Sequence, residues 1–228
     1  MSNDLIVAVQ SQAKEFIKVL PESITPDRFV RVVITEMRSN QKLMECEKAS
    51  VLGSLMQCAE LGLVPSKTTG HCYLVPYGKN CNLIVGYKGL IELATRSGEI
   101  TSIEAHVIRE HDDFDVQLGT TKSITHTPNF LEDGNVIGAY AVATFKNGET
   151  QFEVMKRSEI DKIRNMSKGG NIWKDHFEEM SKKTAVRRLI KYLPVNPELE
   201  KALTIDNAQV ERKPRRSRAT EMLRTINE

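Results

Sequence analysis

Lys183, Arg187 and Lys191 recur at i, i+4 and i+8, so they share one face if residues 173–192 are helical. Lys182 and Arg188 widen that face, and a row of this kind can follow a phosphate backbone. The acids Asp175, Glu178 and Glu179 fall in the first half of the same stretch, which complements a helix dipole. Such a row is often just a solvated face, but the dipole does not require five cations in ten residues, and the surplus favours nucleic acid. Further cations come with glycines and aromatics, in Tyr77-Gly78-Lys79 and Gly86-Tyr87-Lys88-Gly89. Glycine lets a backbone approach a phosphate closely, and tyrosine can stack on a base. On spacing alone two readings stand: a plain hairpin turn, or a nucleic-acid contact in which Lys79, Lys88 and Arg96 meet phosphate and Tyr77 or Tyr87 meets bases or sugars.

Catalytic signatures are missing. The nearest approach to a phosphate-cradling G-x-x-x-x-G-K-[ST] loop is Gly62 to Thr68, which lacks the second glycine and contains Pro65. The (D/E)-x-K pattern of a metal-dependent nuclease occurs at Glu211-Arg212-Lys213, where no strand is expected. Asp112 and Asp113, with Glu104, keep a metal-dependent DNA-processing nuclease as the alternative function. A sequence-specific repressor is a third reading, without helix-turn-helix spacing to support it. His71, Cys72 and Cys81 lack the tight ligand pairs of a structural zinc site, and all four cysteines are expected to be buried reduced thiols.

The elements that must position these residues follow from periodicity. Residues 1–25 look like a short helical or frayed arm ended by Pro21 and Pro26. Phe29, Val32, Val33 and Met37 predict a helix over 27–38. Leu52, Leu55, Met56, Ala59 and Leu63 predict another over 48–61, closed by Gly62 as a left-handed cap. Residues 70–89 predict two strands around a turn at Gly78-Lys79-Asn80, followed by a short helix to Arg96. Strands are expected at 100–110, 113–118, 136–146 and 150–155, the last two joined by Asn147-Gly148. Residues 119–135 read as a polar loop. Ser158 is expected to cap a helix over 159–166, and a long basic helix is expected from Trp173 to Tyr192, with Ala185, Leu189 and Leu193 facing a core. Helices, then hairpins, then helices make the class α+β: helices flanking a central hairpin and a small antiparallel sheet. The expected domain plan is an arm over 1–25, one core over 26–204 and a flexible basic tail over 205–228.

The 228 residues carry a net charge of +2. Six of the 32 basic and four of the 30 acidic residues lie in 205–228, leaving 26 of each sign upstream. A polyanion must therefore meet a local basic face, because the global field steers little. The absence of a long apolar run and of a leader at the start predicts a cytoplasmic protein with no membrane association.

These residues together resemble a known family. LGL at 61–63, LVPYG at 74–78, GYKG at 86–89 and RSG at 96–98 match, in order and spacing, the signature block of the RecT family of phage single-strand annealing recombinases. The M-x-C…S stretch at 44–50 and W-x-x-x-F-x-x-M-x-x-K-T-A-x-R-R-L-x-K-Y-L-P at 173–194 match as well, so the resemblance covers about residues 25–205. It implies a RecT/Redβ-like annealing fold and places Trp173 with the other DNA-binding residues. It also implies ATP-independent annealing of complementary single strands in a bacterial host cell, with no cofactor beyond a modulatory divalent cation. The implied partners are single-stranded DNA, the annealed duplex and other copies of the chain in a ring or helical filament. A phage exonuclease and the host single-strand binding protein complete the set.

Overall fold

The computed structural model describes residues 2–167, 170–194 and 196–211. In chain order the elements open with helices α1 (Ser2–Ser11), α2 (Ala13–Ile17), α3 (Pro26–Ser39), α4 (Gln41–Met44) and α5 (Lys48–Leu61). Strands β1 (Cys72–Tyr77) and β2 (Asn80–Val85) lead into helix α6 (Tyr87–Thr95). Strands β3 (Ile100–Arg109), β4 (Asp113–Gln117), β5 (Ser123–Thr127), β6 (Val136–Phe145) and β7 (Thr150–Lys156) follow. Helices α7 (Arg157–Met166), α8 (Gly170–Asp175), α9 (Phe177–Ile190) and α10 (Pro197–Glu211) come last. The class is α+β with small antiparallel sheets, as expected. No helix among the described residues is long and apolar enough to cross a membrane.

The fold comprises two compact units, residues 1–90 with 195–228, and residues 91–194. In the first, α3 starts with Pro26 at its first turn, where a missing N–H costs nothing, and buries Phe29, Val33 and Met37 at fourfold spacing. Helix α5 ends at Gly62 in the left-handed conformation (φ 60°), and the Leu63 N–H closes back on the Cys58 carbonyl at 2.9 Å. The segment expected to be an arm is instead part of this core. Leu5, Ile6, Val9 and Phe16 are buried, and the Phe16 and Phe29 rings meet edge-on at 5.4 Å. All four cysteines are buried, Cys58 and Cys72 with sulfurs 3.9 Å apart, and burial pushes the Cys58 thiol well up. Helix α10 runs to Glu211, into the stretch read as a tail; residues 212–228 lie outside the described residues.

The second unit is built on a three-stranded antiparallel sheet in the order β3-β6-β7. Ala139, Ala141 and Ala143 alternate along β6 and are fully buried, and α9, whose Ala185 and Leu189 are also buried, packs on this strand. The β6–β7 hairpin turns at Asn147-Gly148 as expected, with Gly148 at φ 84°. The region read as a polar loop contains a strand, β5, which pairs with β4 from Asp113↔Thr127 to Gln117↔Ser123. Ile124 and His126 are its only inward positions, so its sequence signal is weak. Helix α7 starts before the expected cap: the Lys156 N–H donates to the Glu159 carboxylate at 3.0 Å, and Ser158 sits within the first turn. The expected long basic helix is divided at His176, whose backbone (φ −134°, ψ 46°) leaves the helical region between α8 and α9.

The β4–β5 hairpin is held by a buried carboxylate. Asp112, its side chain 2% exposed, accepts from the Arg109 N–H (2.7 Å), the Asn129 N–H (2.9 Å) and His126 Nε2 (3.0 Å). On the other ring nitrogen, His126 Nδ1 lies 3.1 Å from the Tyr140 hydroxyl. With Asp112 ionised, Nε2 carries the hydrogen that the carboxylate accepts. Burial raises the Asp112 pKa, but the two backbone donors and His126 outweigh it and hold the carboxyl below its ordinary 3.8. A depressed pKa means that this stabilisation is present above the unfolded value and fades as pH falls through the folded one. Asp112→Asn should cost about 2–3 kcal/mol, the scale of hydrogen bonds to a charged group. It should also remove the part of the acid destabilisation that begins below pH 3.8. Urea melts of both proteins from pH 6 downward check this, and parallel pH profiles would count against it.

Candidate nucleic-acid interface

In the first unit the β1–β2 hairpin displays Tyr77 and Lys79 at its tip, with Gly78 at φ 61° and Tyr77 paired to Asn80. Tyr77 is 58% exposed, an unusual position for a core tyrosine, and Lys79 is exposed too. The tip is fixed rather than free. The Glu47 N–H, at the start of α5, donates to the Lys79 carbonyl at 2.7 Å. Ser50 Oγ accepts from the Cys81 N–H (2.7 Å), and the Ser50 and Ser54 hydroxyls both donate to the Cys81 carbonyl. Ser50 ends the M-x-C…S stretch, which thereby gains a physical role: it bolts the hairpin to α5. Ser54 carried no sequence signal of its own.

The GYKG turn works differently from expectation. Gly86 and Gly89 would let the backbone approach a phosphate, yet both are buried against the chain's own backbone. A Cβ on Gly86 would lie 2.1 Å from the Gly70 carbonyl oxygen, and one on Gly89 would lie 2.1 Å from that of His71. The Gly86 N–H also donates to the His71 carbonyl at 2.8 Å. These glycines pack the 70–71 turn on the start of α6. Of the residues between them, Lys88 is exposed with its stem over Gly70, and Tyr87 is half-buried. Arg96, just past α6, lies 3.7 Å from Glu92.

In the second unit Lys183, Arg187 and Lys191 form one continuous helical row, because Lys191, the cap residue of α9, keeps helical backbone angles. Lys191 is exposed; Lys183 and Arg187 are half-buried. Glu178 and Glu179 lie in the first turn and Arg187 and Arg188 in the last, so charge is segregated along the helix. The flanking cations are engaged elsewhere. Lys182 pairs with Glu179, and Arg188 bridges Glu159 (2.6 Å) and Glu153 (3.1 Å). The Arg188 hydrogen bond, with the Lys156 N–H, holds the Glu159 carboxyl below its ordinary range. Arg188→Ala should therefore lower stability by about 1 kcal/mol, the screened value of a half-exposed pair. Thermal melting and strand binding measured together check this: a larger loss in binding than in stability would return Arg188 to the interface.

Trp173 is 1% exposed and its ring lies tilted against that of Phe177 (5.9 Å), which Arg157 covers at 4.2 Å. The structure thus places the tryptophan in the core, against Phe177 at the start of α9, where it offers no face to a base. Asp112, the centre of the nuclease alternative, has its oxygens taken by backbone and histidine donors, whereas Asp113 and Glu104 are exposed.

The family model for the RecT family matches residues 27–219. The chain belongs to the RecT family. It is 43% identical over 209 residues to Protein RecT of Escherichia coli (strain K12), covering 87% of this chain and 78% of that protein. It is also 28% identical over 209 residues to the uncharacterized protein YqaK of Bacillus subtilis (strain 168), covering 91% and 72%. The matched RecT-family segment contains both cationic surfaces, the Asp112 network and the whole β3-β6-β7 sheet.

Proposed function

We propose that this RecT-family protein binds single-stranded DNA through its two cationic surfaces and anneals it to a complementary strand. The observation that carries the reading is the family match across residues 27–219, which takes in the Lys183-Arg187-Lys191 row and the Tyr77–Lys79 hairpin tip. The row supplies phosphate contacts and leaves bases unread, which suits a function indifferent to sequence. Tyr77, exposed on a fixed hairpin, offers a stacking surface with little entropy left to lose. Base pairing supplies the free energy of strand exchange, so the reaction runs without ATP, in keeping with the missing phosphate loop. One subunit holds few phosphates, and a row of copies multiplies weak contacts along a strand. A phage exonuclease would generate the strands, and the host single-strand binding protein would coat them beforehand.

Mixing labelled complementary oligonucleotides with the protein and magnesium, without nucleotide, tests this. The expected result is pairing faster than spontaneous, with both strands at full length. Shortened strands would support the nuclease alternative, and unaccelerated pairing would overturn the proposal. Tyr77→Ala should weaken strand binding by about 1–3 kcal/mol, the value of one base stack, with an unchanged melting temperature. A parallel fall in both would assign Tyr77 to packing.

A further inference from the structure

Phe130 and Leu131 are the most exposed large apolar side chains described, at 91% and 96%. They sit on the loop between β5 and β6, and that loop is rigidly tied. Asn129 Oδ1 accepts from the Leu131 and Glu132 N–H groups at 2.9 and 3.3 Å. The Asn129 N–H reaches buried Asp112. At the other end, Asn135 donates twice to Glu110, its carbonyl takes the Glu110 N–H, and the Arg109 guanidinium holds the Gly134 carbonyl at 2.9 Å. A loop this constrained presents two apolar side chains at little ordering cost, which is how a docking knob gains affinity. The acids Glu132 and Asp133 follow directly and are exposed, a poor surface for a nucleic acid.

The first unit carries a surface with complementary chemistry. Helix α3 and the α1–α2 corner form an open groove of about 510 Å3, within the ~300–1,000 Å3 range of clefts that take side chains or ligands. Ala13, Val30 and Ile34 line it, half-buried, and Arg31 and Arg38 stand exposed on its rim. Asp27 is the acid in that lining.

We infer that the Phe130–Leu131 knob of one copy docks in the α1–α3 groove of a second copy, with Glu132 and Asp133 against Arg31 and Arg38. The two apolar side chains meet Ala13, Val30 and Ile34, which share the lining with polar Gln10 and Thr35, and two acids meet two cations. Knob and groove are different surfaces, so the contact is heterologous and propagates into a ring or filament instead of stopping at a dimer. The inference rests on the annealing reading for its purpose and deepens it by naming the subunit contact.

Three full-length variants test it: Phe130→Ser with Leu131→Ser, Arg31→Glu with Arg38→Glu, and the latter combined with Glu132→Arg and Asp133→Arg. Sedimentation velocity reports assembly with and without a long single strand. Melting temperature and binding of an oligonucleotide short enough for one subunit serve as controls. The first two variants should dissociate and anneal long strands at least about tenfold more slowly, the avidity lost, while keeping the fold and short-strand binding. The charge-exchanged variant should reassemble. An equimolar mixture of the first two should stop at dimers, since only one productive contact remains. Parent-like sedimentation of the knob variant would overturn the inference, and dissociation of the knob variant alone would overturn the groove as its seat. A parent that assembles through this contact yet fails to anneal would leave the inference standing and remove the function proposed above.

Discussion

Reversing Lys183, Arg187 and Lys191 to glutamate together is expected to abolish single-strand binding. The three lie on one uninterrupted helical row, and six units of charge change along a line that would track phosphates. The neutral triple glutamine variant gives the quantitative form. Each phosphate contact removed should flatten the log–log salt dependence by about 0.7, so the slope should drop by about 2. Helix α9 is anchored on the side opposite the row by Ala185 and Leu189, both buried, so circular dichroism and melting should stay near the parent's for the glutamine variant. Fluorescence anisotropy across a salt series checks both statements. A folded triple glutamate variant that binds single strands as tightly as the parent removes α9 from the interface.

The second large effect is on stability. Gly86→Ala and Gly89→Ala each place a methyl 2.1 Å from a backbone carbonyl oxygen of the 70–71 turn. Backbone has no rotamer with which to yield, so the turn, the hairpin end or α6 must shift. The Gly86 N–H bond to His71 would go with it. The cost should reach roughly 3 kcal/mol or more, the upper end of overpacking. Two other glycines calibrate the measurement. A Cβ on Gly53, inside α5, meets nothing within 4 Å, so Gly53→Ala should stabilise by about 0.5–1 kcal/mol through helix propensity. Gly78→Ala also meets open space, but its φ of 61° makes it cost about 1–2 kcal/mol. Urea melts of the four variants should rank Gly53→Ala above the parent, then Gly78→Ala, then the GYKG pair. A parent-like melt for Gly86→Ala would show that the turn has slack and that its glycines serve something other than packing.

Local order is where the sequence alone was most informative. Helices α3 and α5 follow from apolar spacing, a proline start and a glycine end. The turns at Gly78 and Gly148 follow from residues that tolerate positive φ. The cationic row on α9 follows from a period of four, and the family from motifs spread over most of the chain. Each depends on residues within a few positions of one another, or on a pattern of them.

What could not be read depends on partners far away in the chain. Arg188 looks like a fifth cation of the row until β7 and α7 bring Glu153 and Glu159 to it. Asp112 looks like half of an acidic pair, but Asn129 and His126 return to it across the β4–β5 hairpin and fill its lone pairs. The GYKG glycines look like space for a ligand, and residues 70–71 take that space. Trp173, which the resemblance places with the DNA-binding residues, lies against Phe177 in the core. Periodicity announces which face a side chain takes on its own element. Whether that face meets water, a counter-charge or another backbone is set by long-range packing, and the free energy of a charge or a methyl group changes sign with that choice.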